Sequence, residues 1–150
     1  MTQITILVLV LAAGLAVGLA YRLREGRVRT SSRRIETSDD TRTELLAAVG
    51  VRGEAPAVVH FSAEWCGPCA AVRRVVAGVV ADLSQTPQPP QDVEVDIDAE
   101  PALAKELNVL SLPTTFVFDA RGRERFRISG VPKAGDLRSA LSPLTVPEAA

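Results

Sequence analysis

The chain opens on a long apolar stretch and then changes to short patterned segments. Ile4 to Tyr21 is an uncharged run of 18 residues, rich in Leu, Val, Ile and Ala and apolar all round. That length just crosses a hydrocarbon core of about 30 Å, so residues 1–22 are expected to form one N-terminal transmembrane helix. A cleaved leader peptide competes, since Gly18-Leu19-Ala20 offers small residues at the spacing of a cleavage site. Against it, no Lys or Arg precedes the run, and the run exceeds the usual leader core of about 7–15 residues. Gly14-Leu15-Ala16-Val17-Gly18 fits G-x-x-x-G, a weak signal for homodimer packing through Gly14 and Gly18.

Past the run the periods shorten. Residues 23–34, with Thr30-Ser31-Ser32 among arginines, read as an exposed basic tether, and Ile35 as the start of a first edge strand. Asp39-Asp40 suit a helix start before Thr43 to Val49, where Leu45, Leu46 and Val49 share a face. Ala57 to Phe61 is short, apolar and partly β-branched, a buried strand. Cys69, Val72, Val76, Val79, Val80 and Leu83 recur at helical spacing. Ser84 to Gln91, with three Pro and three Gln, is a surface loop. Val93 to Ile97 alternates as a strand, and Pro101 suits the first turn of a helix carrying Leu103 and Leu107. Thr114 to Phe118 and Glu124 to Ile128 form a hairpin across the turn Asp119-Ala120-Arg121-Gly122. A helix from Lys133 to Leu141 turns Leu137 and Leu141 inward, and the chain is expected to fray from Pro143. The domain is thus placed at 35–145, with a tail at 146–150. Its order β-α-β-α-β-α-β-β-α belongs to the α/β class, a mixed sheet with helices on both faces.

Charge sharpens this division. The net charge is −1, but residues 22–34 hold six Arg against one Glu, leaving 11 basic and 17 acidic residues elsewhere. An acidic domain on a basic stalk argues against a nucleic-acid partner. The stalk suits anionic lipid headgroups beside a bilayer engaged through residues 4–21. Basic flanks stay cytoplasmic, so the cell membrane is the expected location, single-pass, with the domain on the cytoplasmic side. The opposite, extracytoplasmic orientation is the alternative.

Chemistry concentrates in Phe61-Ser62-Ala63-Glu64-Trp65-Cys66-Gly67-Pro68-Cys69, which holds both cysteines of the chain. C-x-x-C lies at a strand-to-helix junction, with Cys66 at or just before the helix start. Free N–H groups and the helix dipole there stabilise a thiolate, the nucleophilic form. Cys69 is close enough to attack a mixed disulfide formed by Cys66, so the two thiols make a two-electron dithiol/disulfide couple. Gly67 lets the turn close and Pro68 supplies a fixed φ at the helix start. Two structural cysteines, or a metal site, are the other readings. A tetrahedral metal site needs four ligands and only His60 adds a third, so no metal and no cofactor are expected.

Trp65-Cys66-Gly67-Pro68-Cys69 resembles the active site of the thioredoxin family. The resemblance continues in Asp96-Ile97-Asp98-Ala99-Glu100-Pro101, in Leu110-Ser111-Leu112-Pro113-Thr114-Thr115-Phe116-Val117-Phe118 and in Gly130, and covers roughly Ile35 to Leu144. It implies the thioredoxin fold, with Cys66 as nucleophile and Cys69 as resolving thiol. It further implies a relatively reducing couple for Gly67-Pro68, a cis bond at Pro113, and Leu112 offering backbone groups to an extended substrate. Trp65, Leu112, Gly130 and Val131 would then border an apolar docking surface.

Three positions depart from that pattern. His60, six residues before Cys66, stands where the family usually has a buried Asp. A neutral imidazole there is suited to accept the proton of Cys69 if it points that way, and is otherwise a packed histidine. Glu94 stands where many relatives have Lys, and Ser62 where an aromatic residue is common. The function expected is a membrane-tethered thiol–disulfide oxidoreductase that reduces protein disulfides and is recharged by an unidentified electron donor. Two alternatives stand beside it, an outward-facing envelope disulfide reductase and an adaptor that binds partners without redox turnover.

Overall fold

The computed structural model describes residues 2–24, 28–30 and 39–147. The first element is a helix, α1 (Thr2–Arg24). Its described side chains, residues 5–18, are all exposed. Among the described residues no helix is long and apolar enough to cross a membrane.

The remaining elements run β1 (Val28–Thr30), α2 (Asp39–Ala48), β2 (Ala57–Ser62), α3 (Cys69–Asp82), β3 (Gln91–Asp96), α4 (Pro101–Glu106), β4 (Thr114–Phe118), β5 (Glu124–Ser129) and α5 (Ala134–Leu141). This is the expected order. The five strands form one sheet in the order β1-β5-β4-β2-β3. β2 and β3 are parallel, joined by α3, and every other pair is antiparallel. The sheet is therefore mixed.

β2 sits between β4 and β3, with both faces covered, and all six of its residues are buried. That is why Ala57 to Phe61 reads as an unbroken apolar run and not as an alternation. Side chains still alternate between the faces. Val59 and Phe61 join Phe116, Phe118, Leu46, Leu103 and Leu107 beneath α2 and α4. Val58 joins Val72, Val76, Val79, Val117, Ile128, Leu137 and Leu141 beneath α3 and α5. Burying each such side chain contributes about 1.5–3 kcal/mol. Phe61 meets Phe116 edge-on, with centroids 5.8 Å apart.

Two expectations need correction. The edge strand lies at Val28–Thr30, inside the segment read as a tether, and pairs with β5 (Val28 with Ile128, Thr30 with Phe126). Val28 and Thr30 are β-branched and alternate with Arg29, a period-2 pattern too short to stand out among arginines. Ile35 lies outside the described residues. The chain also stays ordered past Pro143. Ser142–Leu144 form a 3-10 turn, Thr145 is buried, and the Gln88 N–H donates to the Thr145 carbonyl at 2.9 Å. Pro143 suits the start of that turn, and the loop after α3 supplies the donor.

Candidate functional site

The site forms at one end of the sheet, where β2, β3 and β5 finish and β4 begins. β2 finishes at Ser62, and the turn Ala63–Pro68 carries the chain into α3. The Cys66 N–H closes this turn on the Ala63 carbonyl at 3.1 Å. Pro68, with φ −71°, occupies the position just before α3, and its side chain makes no capping bond. The helix starts at Cys69, three residues after Cys66, so Cys66 sits in the preceding turn. No side chain caps this end and its first turn holds no acidic residue. The positive end of a 14-residue helix is thus left for the sulfurs.

Cys66 and Cys69 are joined as a disulfide. Cys69 is 2% exposed, whereas Cys66 is half-buried, so an incoming molecule meets Cys66 first. Cys69 Sγ lies 3.8 Å from the Phe61 carbonyl oxygen. Once the disulfide is reduced, that oxygen is within reach of the Cys69 S–H as an acceptor. The two sulfurs are therefore unequal, with Cys66 accessible at a positive helix end and Cys69 sheltered beside an acceptor.

The register brings the other expected residues to this end. Phe61 pairs with Thr114, and Thr114 with Ser129. The residues just beyond are Pro113 and Gly130. The Leu112–Pro113 bond is cis, as expected. The Gly130 N–H donates to the Pro113 carbonyl at 2.9 Å. Gly130 has φ +83°, a left-handed conformation that glycine adopts without a Cβ clash. Trp65 is 71% exposed and its indole N–H donates to Asp98 Oδ2 at 3.1 Å. Leu110 and Val131 are exposed by 86% and 37%, and Leu112 is half-buried. Cys66 thus sits on an open, apolar-rimmed surface. A cavity of about 440 Å³ lies at the other end of the sheet, lined by Asp119, Arg123, Arg125 and Leu144 among others.

His60 is buried, at 2% exposure, and its Nε2–H donates to Asp92 Oδ1 at 3.0 Å. His60 pairs in register with Glu94, so Asp92 lies two residues back along β3, away from the disulfide. Ser62 does more than open space. Its hydroxyl donates to Glu94 Oε1 at 2.6 Å, and Arg73 Nε on α3 donates to both Glu94 oxygens at 2.8 Å. Burial raises the Glu94 pKa, but the Ser62 hydroxyl, Arg73 and the charge of His60 outweigh it and hold the carboxyl below its ordinary value. These contacts were not read from the sequence. The alternation Asp92-Val93-Glu94-Val95 already places both carboxylates on one strand face, but the pairing of β3 with β2 decides what they meet. Among the described residues no group of three or more His, Cys, Asp or Glu side chains is arranged to hold a metal ion.

A parallel β-α-β unit that ends one strand in C-x-x-C, beside a cis-proline, defines the class of C-x-x-C thiol–disulfide oxidoreductases. Comparison with known proteins agrees. The family model described as Thioredoxin matches residues 37–143. A thioredoxin of Streptomyces clavuligerus is 33% identical over 101 residues, covering 67% of this chain and 87% of that protein. Thioredoxin H2 of Arabidopsis thaliana is 41% identical over 76 residues, 51% of this chain; the match spans about half, 53%, of its own length. The structure of mitochondrial thioredoxin 3 from Saccharomyces cerevisiae shares the fold, with TM-score 0.56, 24% identity and coverage of 68% and 89% of the two chains. The chain belongs to the thioredoxin family.

Proposed function

We propose that this protein is a membrane-tethered thioredoxin-type reductase of protein disulfides. The carrying observation is the asymmetry of the pair, a reachable Cys66 at an uncapped helix end joined to a buried Cys69. The Cys66 thiolate attacks one sulfur of a substrate disulfide and expels the other as a thiolate, which takes up a proton. Cys69 then loses its proton and attacks Cys66 Sγ, releasing the second substrate thiol. The substrate gains two electrons and two protons, and Cys66–Cys69 becomes the disulfide, which a dithiol donor must reduce again. Trp65, Gly67, Pro68 and Pro113 support the site, Trp65, Leu112, Gly130 and Val131 border the substrate, and His60 braces β2 against β3. Cys66→Ser is expected to abolish insulin-disulfide reduction. Retained reduction would contradict the proposal.

The tether and its orientation rest on the sequence, on the uncharged run Ile4 to Tyr21 and on the arginines that follow it. They place the domain on the cytoplasmic side. A membrane-impermeant thiol reagent, applied after mild reduction, should label Cys66 only once the cells are lysed. Labelling in intact cells would move the function to envelope disulfides.

A further inference from the structure

From the way β1 enters the sheet, and resting on the tether proposed above, we infer that the catalytic end of the domain is held at the bilayer surface. Its substrates are then disulfides of membrane-embedded proteins, in segments lying close to that surface. β1 runs antiparallel to β5, with Val28 opposite Ile128. Ile128 pairs with Thr115, and Thr115 with His60. Val28 therefore stands on the row of His60, two residues short of the end of β2 from which Cys66 follows. Strands rise about 3.3 Å per residue, so that row is about 7 Å from the catalytic edge. The chain reaches β1 from this edge. A β1 of the opposite direction would bring it in at the far edge, beside Asp119 and Arg123.

Chain length limits how far the domain can stand from the bilayer. α1 ends at Arg24 and β1 begins at Val28. Four Cα–Cα steps span at most about 15 Å. A helix seated in a bilayer can be no farther than this from the start of β1, which lies on the His60 row, three strands or about 14 Å across the sheet from β2. The catalytic end exposes apolar side chains, Trp65, Leu110 and Val131. An exposed indole with one polar atom suits a membrane interface. So short a tether makes the effective concentration of the dithiol high near the bilayer and low far above it.

Trp65 is the only tryptophan of the chain, so its fluorescence reads out this geometry directly. The full chain is reconstituted in vesicles of phosphatidylcholine and phosphatidylglycerol, and flotation is measured first. Nitroxide-labelled headgroups are then expected to quench Trp65 at least about twofold, since the proposed orientation holds it near the headgroup layer. Inserting a flexible Gly/Ser segment of about 20 residues after Gly26 should relieve most of that quenching. Two membrane-spanning reporters carry the same disulfide loop, one at the surface and one on a helical stalk of about 40 Å. The surface loop should be reduced at least about tenfold faster, and the inserted segment should bring the ratio near one. A chain that does not float overturns the tether and this inference with it. A chain that floats with Trp65 unquenched, or that reduces both loops equally, overturns this inference and leaves the tether standing.

Discussion

His60 turns its Nε2–H to Asp92 Oδ1 at 3.0 Å, along β3 and away from the disulfide. The ring is buried and this bond joins β2 to the edge strand β3. His60→Ala removes a hydrogen bond to a charged group and leaves a gap in the core. It should cost about 2–3 kcal/mol in urea unfolding. The pH profile of insulin reduction should keep its shape, because the ring serves the sheet. A shifted profile would assign the Cys69 proton to His60 instead.

Two carboxylates should shape acid stability. Burial raises the Asp119 pKa, but the backbone amides of Arg123 and Arg121 and the side chains of Arg123 and Arg125 outweigh it and leave it lowered. Glu94 is lowered as well, for the reasons given above. A carboxyl depressed in the folded state stabilises the fold above its unfolded pKa, and that contribution is lost as pH falls through the folded value. The losses should fall below pH 4.5 for Glu94 and below pH 3.8 for Asp119. Glu94→Gln and Asp119→Asn should lower the urea midpoint near neutrality, and the gap to the parent should close on acidification. A gap that widens in acid would reverse the assigned sign.

Gly78 lies within α3 on an exposed position, and a Cβ added there meets no atom within 4 Å. Gly78→Ala should stabilise the fold by about 0.5–1 kcal/mol, because the unfolded chain loses freedom and the helix gains a better former. Urea titration checks it, and activity should not move.

Gly130 holds φ +83° and donates to the Pro113 carbonyl. Gly130→Ala forces a Cβ into the left-handed region at about 1–2 kcal/mol. It should also disturb the strand end proposed to border the substrate, raising KM for insulin more than it lowers kcat. An unchanged KM would separate Gly130 from the substrate surface.

Cys69→Ser leaves Cys66 able to attack but removes the thiol that resolves the product. A mixed disulfide at Cys66 should accumulate and be visible as a stable mass adduct. Its absence would overturn the division of roles.

Much of the site was legible because its signals are local. C-x-x-C between an apolar strand and a helix-periodic run identifies the couple, while the cis bond at Pro113 was implied by the resemblance of Leu110 to Phe118 to the thioredoxin family. The partners of His60 and Ser62 were not legible. Nothing near position 60 in the sequence indicates that Asp92 and Glu94 stand beside it, since a register between parallel strands is set by packing around the whole β-α-β unit. β1 was missed for a related reason. Three residues carry too little pattern to identify a strand, and Val28–Thr30 becomes one only through hydrogen bonds to β5.

The sequence by itself determined the order of elements from α2 (Asp39–Ala48) onward, the redox pair and its place before a helix. These follow from hydrophobic period, turn residues and helix-end chemistry, all of which act over a few residues. Only the tertiary structure decided the strand order, the bond of His60 to Asp92, the burial of Cys69 against Phe61 and the edge from which the N-terminal segment enters the sheet. Those depend on contacts between residues tens of positions apart, and only the folded core selects among the ways such contacts could form.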